Sequence, residues 1–273
     1  MSLPKIIHQI WFQGKILLPD KFKKNMQIIQ DMNPLYNYIL WDELKILELL
    51  HNNNNPEWTA KYYKFEHLHQ KVDFAKFIIL YTYGGIIIDM DAYTNQNLDQ
   101  LFEENKDYDL VVSNIISIGV LESYTMCGKS NNCLNNGNFL GKKNSDIAKY
   151  MINNFGTECS AMDSKMNCIH KTTGPLIFNK LIEKYMSSEI ILDKSKIKIL
   201  DKEYLEPCLL DNCVLTENTY VIHKHENSWI NAPMKKFSKI YIKNQNIFYC
   251  IFLILILLIL WAILVIIQKF LRN

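Results

Sequence analysis

Twenty-eight asparagines occur in the 273 residues, yet none stands in an Asn-x-Ser/Thr sequon. That absence agrees with a domain on the cytosolic side of a membrane. The opening stretch MSLPKIIHQIWFQGK has no basic segment followed by a long apolar core, so no cleavable signal peptide is expected. No cysteine pair has the two-residue spacing of a zinc knuckle. Gly119 and Gly128 do not frame a phosphate-cradling loop with a lysine, which excludes a P-loop. Internal repeats are missing too. So is net charge: apart from Lys269 and Arg272 near the C-terminus, 28 basic residues balance 28 acidic ones. A neutral chain has no general attraction for polyphosphate, which argues against a nucleic-acid partner.

What the chain does have is a long apolar run. Residues 247–267, IFYCIFLILILLILWAILVII, are 21 consecutive residues without a charge. As a helix they cover roughly 30 Å, the thickness of a bilayer's hydrocarbon core. Soluble helices are seldom apolar on every face for six turns, so the run is expected to span a membrane. Four parts follow: a domain over residues 1–233, a basic juxtamembrane linker over 234–246, the span over 247–267 and a tail over 268–273. Lys235, Lys236, Lys239 and Lys243 precede the span, against Lys269 and Arg272 after it, and this bias favours a cytosolic domain. The cysteines favour the opposite side. Six of the seven fall in close pairs, Cys127/Cys133, Cys159/Cys168 and Cys208/Cys213, which suits short disulfide loops in an oxidising compartment. The side of the membrane stays open on these grounds.

Within the domain, strands and helices alternate, which indicates an α/β fold with a mostly parallel sheet. Residues 5–12 and 36–41 are expected as strands and 20–32 as a helix. Asp42 is placed to cap a helix over 43–50. The tract Asn52–Asn55 is expected as a surface loop. Residues 66–83 form a helix that is apolar on most sides and ends at Gly84-Gly85. The segment IIID at 86–89 is expected as a central strand covered on both faces. Further helices are expected over 98–105, 145–155 and 175–187, with strands over 108–114, near 189–200 and over 219–223.

The most informative stretch runs from Lys71 to Ala92. Asp89 and Asp91 stand two apart at a buried strand's exit, so their side chains share one side. Two carboxylates about 5 Å apart repel by roughly 3 kcal/mol at an effective dielectric near 20. Such a pair shares a proton or binds a cation. Oxygen ligands at an open strand end suit Mn²⁺ or Mg²⁺, with water and a diphosphate completing the shell. Asp73 and Lys76 lie three apart on the preceding helix among apolar neighbours. Charges so placed are costly unless paired or used, either as a structural ion pair or as hydrogen-bond partners of a sugar.

The chain resembles the Asp-x-Asp glycosyltransferase family of initiating α-1,6-mannosyltransferases, inositol-phosphoceramide mannosyltransferases and capsular polysaccharide sugar transferases. The residues that carry the likeness are PKIIHQIW (4–11), LWD (40–42), VDFAKFIILYTYGGIIIDMD (72–91), TGP (173–175) and HKHENSW (223–229). The resemblance implies a GT-A fold, a nucleotide-sugar donor such as GDP-mannose or a UDP-sugar, and a divalent metal, usually Mn²⁺. It further implies transfer with retention at the anomeric carbon to a glycan or glycolipid acceptor. Asp91 would hold the metal, and Asp89 would share it or bind the ribose. Asp73 and Lys76 would hold the donor sugar, Gly84 and Gly85 belong to the same sugar-binding motif, and Ile10 and Trp11 would line the base pocket. His223 or His225 would complete the metal shell or touch the diphosphate, with Ser228 and Trp229 closing over it. Lys76 stands where the family usually has arginine, and a point-charge ammonium cannot make the planar two-pronged contact. Two rival readings compete. One is a phosphohydrolase using Asp-x-Asp as nucleophile and acid–base. The other is a non-catalytic membrane-anchored protein that keeps the fold.

Overall fold

The computed structural model describes residues 3–115, 120–129, 132–187, 196–209, 212–226 and 232–271. It divides into two units, Met1–Glu226 and Asn227–Asn273, so the first ends seven residues before the expected boundary at 233.

The strands of the first unit are very short, and alternate side chains along them enter two different cores. In chain order it contains β1 (Ile6–Ile10), α1 (Asp20–Met32), β2 (Asn37–Trp41), α2 (Glu43–Asn52), α3 (Pro56–Lys64), α4 (Leu68–Tyr83), β3 (Gly85–Ile87), β4 (Ala92–Thr94), α5 (Asp99–Glu104) and β5 (Leu110–Ser113). There follow α6 (Val120–Cys127), β6 (Phe139–Gly141), α7 (Asp146–Asn154), α8 (Lys165–Thr172), α9 (Pro175–Ser187), β7 (Ile197–Leu200), α10 (Lys202–Leu205), β8 (Cys208–Leu209), β9 (Asn212–Cys213) and β10 (Val221–His223). Ile87, Leu110, Val112 and Phe139 enter one apolar core, while Ile7, Ile86, Ile88, Val111 and Leu140 enter another. Both faces of the sheet are therefore covered, which is why these strands read as unbroken apolar runs. Each such side chain contributes about 1.5–3 kcal/mol on burial.

The main sheet has the order β2-β1-β3-β6-β5-β7. The pairs β1–β2, β1–β3 and β5–β7 are parallel, whereas β6 lies antiparallel between β3 and β5. The mostly parallel α/β sheet is as expected; the antiparallel insertion at its centre is not. Gly141 explains how β6 fits there. A Cβ on it would stand 2.5 Å from Leu80 Cδ2 and 3.0 Å from the Asp109 carbonyl, so no larger residue passes between helix and sheet.

Several local signals act as expected. Asp42 accepts a hydrogen bond from the Lys45 amide at 2.9 Å, capping α2. The tract expected as a loop is a turn over Asn53 and Asn54 between α2 and an unforeseen helix, α3, that Asn55 caps. Asn55 accepts from the amides of Glu57 and Trp58, and Pro56 opens α3. Helix α4 is buried on nearly every side, with Phe74 to Leu80 closed to solvent. His8 ties three strands together. Its Nε2–H donates to the Gly84 carbonyl at 2.8 Å, and its Nδ1 accepts from Trp41 Nε1 at 3.1 Å. Burial pulls its pKa down to about 4, against the bond to Gly84, so the ring is neutral. The three close cysteine pairs are joined, Cys127–Cys133, Cys159–Cys168 and Cys208–Cys213, leaving Cys250 free.

The second unit comprises α11 (Ala232–Lys243) and α12 (Gln245–Leu271). Among the described residues α12 is the one helix long and apolar enough to cross a membrane, and the most apolar 18-residue stretch within Gln245–Gln268 has a mean hydropathy of 3.6.

Candidate active site

The sheet delivers the first aspartate and a distant hairpin-like ladder delivers the histidine. Asp89 follows the C-terminal end of β3, which lies between β1 and the antiparallel β6. Ends of parallel strands are where open α/β sheets leave a crevice. Its backbone is clamped from both sides. Gln9 Nε2 donates to the Asp89 carbonyl at 3.0 Å, and the Asp89 amide donates to Asn138 Oδ1 at 3.1 Å. Met90 turns away into a small apolar cluster with Leu18, Phe22 and Met26, packed against Trp11. The chain then enters β4, which pairs antiparallel with β10 in a register that sets His223 opposite Ala92. This pairing places Glu226 to donate its amide to Asp91 Oδ2 at 2.7 Å.

Each aspartate thus has one oxygen tied to protein and one directed to shared space. Asp89 Oδ1 meets Lys76 Nζ at 2.8 Å, and Asp89 Oδ2 stands 3.9 Å from His223 Nε2. Asp91 Oδ1 is 3.1 Å from the same Nε2. Asp89, Asp91 and His223 each offer a ligand atom, all within 4.8 Å of one another. Gly137 closes over them. A Cβ there would lie 2.6 Å from Asp89 Oδ2 and 2.9 Å from His223 Cε1.

The charges are unequal. Burial pushes Asp89 up, with Lys76 and His223 opposing it and Asp91 adding to it. Burial also disfavours ionisation of Asp91, but the charge and hydrogen bond of His223 hold it well below the usual carboxylate range. Burial disfavours a charged ring at His223, yet Glu206 and Asp91 overcome this and keep the imidazole protonated far above its ordinary range.

Lys76 does more than pair with its helix neighbour. Its ammonium faces three oxygens: Asp89 Oδ1, the Asn136 carbonyl at 3.0 Å and Asp73 Oδ1 at 3.5 Å. An ammonium has three protons. Lys76 thus holds the Asp-x-Asp motif through Asp89 Oδ1. Asp73 also accepts from Asn136 Nδ2 at 3.2 Å and Thr173 Oγ1 at 3.3 Å. Burial raises its pKa to about 7, against the pull of Lys76 and with the push of Asp89.

The structure brings Asp73, Lys76, Asp89, Asp91 and His223 together, with Trp11 reaching them through Met90. Other expected residues stand elsewhere. His225 stacks on His223 with ring centroids 4.0 Å apart, but its Nε2 turns to Glu206 at 3.0 Å. Of the two histidines, only His223 shares the ligand group with both aspartates. Ile10 belongs to the main core. Gly84 and Gly85 lie at the opposite end of β3, where both hold positive φ and a Cβ on Gly85 would stand 2.4 Å from the Ile6 carbonyl. Close packing of β3 on the chain's first strand requires glycine there. Ser228 and Trp229 lie outside the described residues.

Four contributors escaped the sequence reading. Asn136, Gly137 and Asn138 form the approach to β6, and Glu206 lies after α10, wholly buried. The polar run Asn135-Asn136-Gly137-Asn138 before the apolar Phe139-Leu140 was the one available signal. Glu206, a lone acid between Leu205 and Pro207, offered none.

Residues 19–108, which include Asp73, Lys76, Asp89 and Asp91, match the family described as the glycosyltransferase sugar-binding region containing DXD motif. An uncharacterised glycosyltransferase, L373, of Acanthamoeba polyphaga mimivirus is 30% identical over 257 residues, covering 92% of each chain. Inositol phosphoceramide mannosyltransferase 3 of Schizosaccharomyces pombe is 33% identical over 100 residues, 37% of this chain and 27% of that protein. Among solved structures, the ligand-free glycosyltransferase domain from the YGT toxin superposes with a TM-score of 0.47 at 10% identity, covering 89% of this chain and 86% of that one.

Proposed function

This chain belongs to the family of glycosyltransferases with a DXD-containing sugar-binding region, and on that premise we propose that it transfers mannose from GDP-mannose to a lipid-borne or membrane-proximal glycan acceptor, using a divalent cation at Asp89, Asp91 and His223. Family membership takes the place of the phosphohydrolase reading. Mannose comes from the name of the yeast relative, which the chain matches over about a quarter of that protein's length. The apolar helix α12 is the reason for a membrane-proximal acceptor.

The observation that carries the proposal is the convergence of two carboxylates and one imidazole within 4.8 Å. Two oxygens and one nitrogen fit Mn²⁺ well, since carboxylates suit manganese and magnesium, and imidazole suits the transition metals. A cation held there supplies Lewis-acid stabilisation of the charge that grows on the departing diphosphate. The rest belongs to the protein. His223 carries a proton that offsets part of the charge of the aspartate pair, and as a ligand its Nε2 would be the unprotonated nitrogen while Nδ1–H stays on Glu206. Lys76 anchors Asp89 Oδ1 and so leaves Oδ2 directed outward. Asp73 accepts from the sugar's hydroxyls, and Trp11 lines the base pocket. The bond from anomeric carbon to phosphate oxygen breaks, and the acceptor oxygen forms its bond on the same face, its proton passing to the departing phosphate.

The test is donor turnover by the detergent-solubilised full chain, with GDP-mannose and a panel of UDP-sugars, with and without Mn²⁺. Asp91→Ala should lower turnover by about 10³-fold or more with the fold retained. Undiminished turnover in that variant would sink the mechanism.

A further inference from the structure

We propose that Glu206 is a positioning residue of the transfer site: its buried carboxylate grips His223 and His225 and aims His223 Nε2 at Asp89 and Asp91. This rests on the cation-site reading above and adds a residue far from the family's motif.

Glu206 is fully closed to solvent. A carboxylate so placed is costly unless hydrogen bonds satisfy its oxygens. Here they do. His223 Nδ1 lies 3.0 Å from both Oε1 and Oε2, His225 Nε2 lies 3.0 Å from Oε2, and Asn138 Nδ2 donates to Oε1 at 2.8 Å. The carboxylate accepts the hydrogen bond of Nδ1–H and leaves Nε2 as the nitrogen that faces the aspartates. Carboxylates that orient a ligating histidine in this way set both its ring angle and its tautomer.

Two further features separate this from an incidental buried ion pair. Asn138 joins Glu206 to the motif directly, because the same side chain accepts the Asp89 amide through Oδ1. His225 has φ +48°, a left-handed conformation that costs a non-glycine residue of order 1 kcal/mol. Its bond to Glu206 and its stacking on His223 are what hold it there. Glu206 therefore fixes one histidine as the aimed nitrogen and uses the other as a lateral support.

The experiment uses the full chain in detergent, labelled with ¹⁵N at histidine. In the wild type the His223 Nδ1 proton should exchange with water far more slowly than the ring protons of the exposed His51. Glu206→Gln should lose that protection and weaken Mn²⁺ binding, read by calorimetry, by about 10–100-fold. The donor KM at saturating Mn²⁺ should stay within about twofold, which a general loss of structure would not allow. Glu206→Asp keeps the charge but is one methylene shorter, so it cannot reach both rings; it should show the same loss of Mn²⁺ affinity if the glutamine variant fails to fold. Wild-type Mn²⁺ affinity in either folded variant would overturn the proposal. So would a His223 Nδ1 proton that exchanges as fast as those of His51. If the wild type binds no Mn²⁺ at all, the cation reading fails, while the imidazole spectra still decide whether Glu206 holds the histidines.

Discussion

Replacing Gly137 by alanine should silence the site while leaving the fold nearly intact. The new Cβ would stand 2.6 Å from Asp89 Oδ2 and 2.9 Å from both Asn135 Oδ1 and His223 Cε1. Ordinary carbon–oxygen contacts begin near 3.3 Å, so Asp89 Oδ2 must retreat by roughly 0.7 Å. The backbone cannot yield instead, because Asn136 and Asn138 on either side are bonded to Lys76, Asp73, Asp89 and Glu206. Gly137 lacks a positive φ, so alanine is not strained by its backbone conformation. A displacement approaching 1 Å at reacting groups costs about 10²-fold in rate, or about 2.7 kcal/mol of transition-state stabilisation. The overpacking itself should cost only about 1–3 kcal/mol of stability. Donor turnover at several Mn²⁺ concentrations, with thermal unfolding of the same samples, reads both numbers. A folded Gly137→Ala variant with wild-type kcat/KM would refute the placement of Asp89 and His223 beneath this residue.

Lys76→Met should destabilise the first unit by about 3–5 kcal/mol, since it strands Asp73 and Asp89 without their buried cation; a urea midpoint equal to that of wild type would contradict the ion pair. His8 should make the protein acid-sensitive. Its pKa lies at about 4 when folded against about 6.5 when unfolded, so the unfolded state binds the extra proton between those values. The stability from keeping the ring neutral is complete above pH 6.5 and lost as pH falls to 4, about 3 kcal/mol in all. Urea unfolding at pH 7 and pH 4.5 should show this slope reduced in His8→Gln. Thiol counting by mass spectrometry on the denatured, unreduced chain should find Cys250 alone reactive. Seven reactive thiols would remove the bridges and with them the case for an oxidising compartment.

Much of the architecture was legible before any coordinates. Helix α4 and the strand after it stand out because both are buried on almost all sides, and full burial leaves an apolar run that no surface segment imitates. The caps at Asp42 and the helix over residues 20–32 followed from local chemistry. The elements missed were those whose signal is shorter than their period. Strands β4 and β6 have three residues each, too few for alternation to register. Helix α3 hid because its cap is the last of four asparagines that together look like a loop.

The chemical centre divides along the same line. Asp89 and Asp91 were readable because they lie within one strand exit, as were Asp73 and Lys76 within one helical turn: spacings of two and three fix which side chains share a face. No local rule relates Lys76 to Asp89 in preference to Asp73, or His223 to Asp91 across 132 residues, or Glu206 to Asn138 across 68. Those partnerships depend on where the antiparallel β6 enters the sheet and on the register of β4 with β10. Each is settled only when distant segments bury their apolar faces together, and it is that packing which brings two neighbouring acids and a histidine into one cluster with a buried carboxylate behind it.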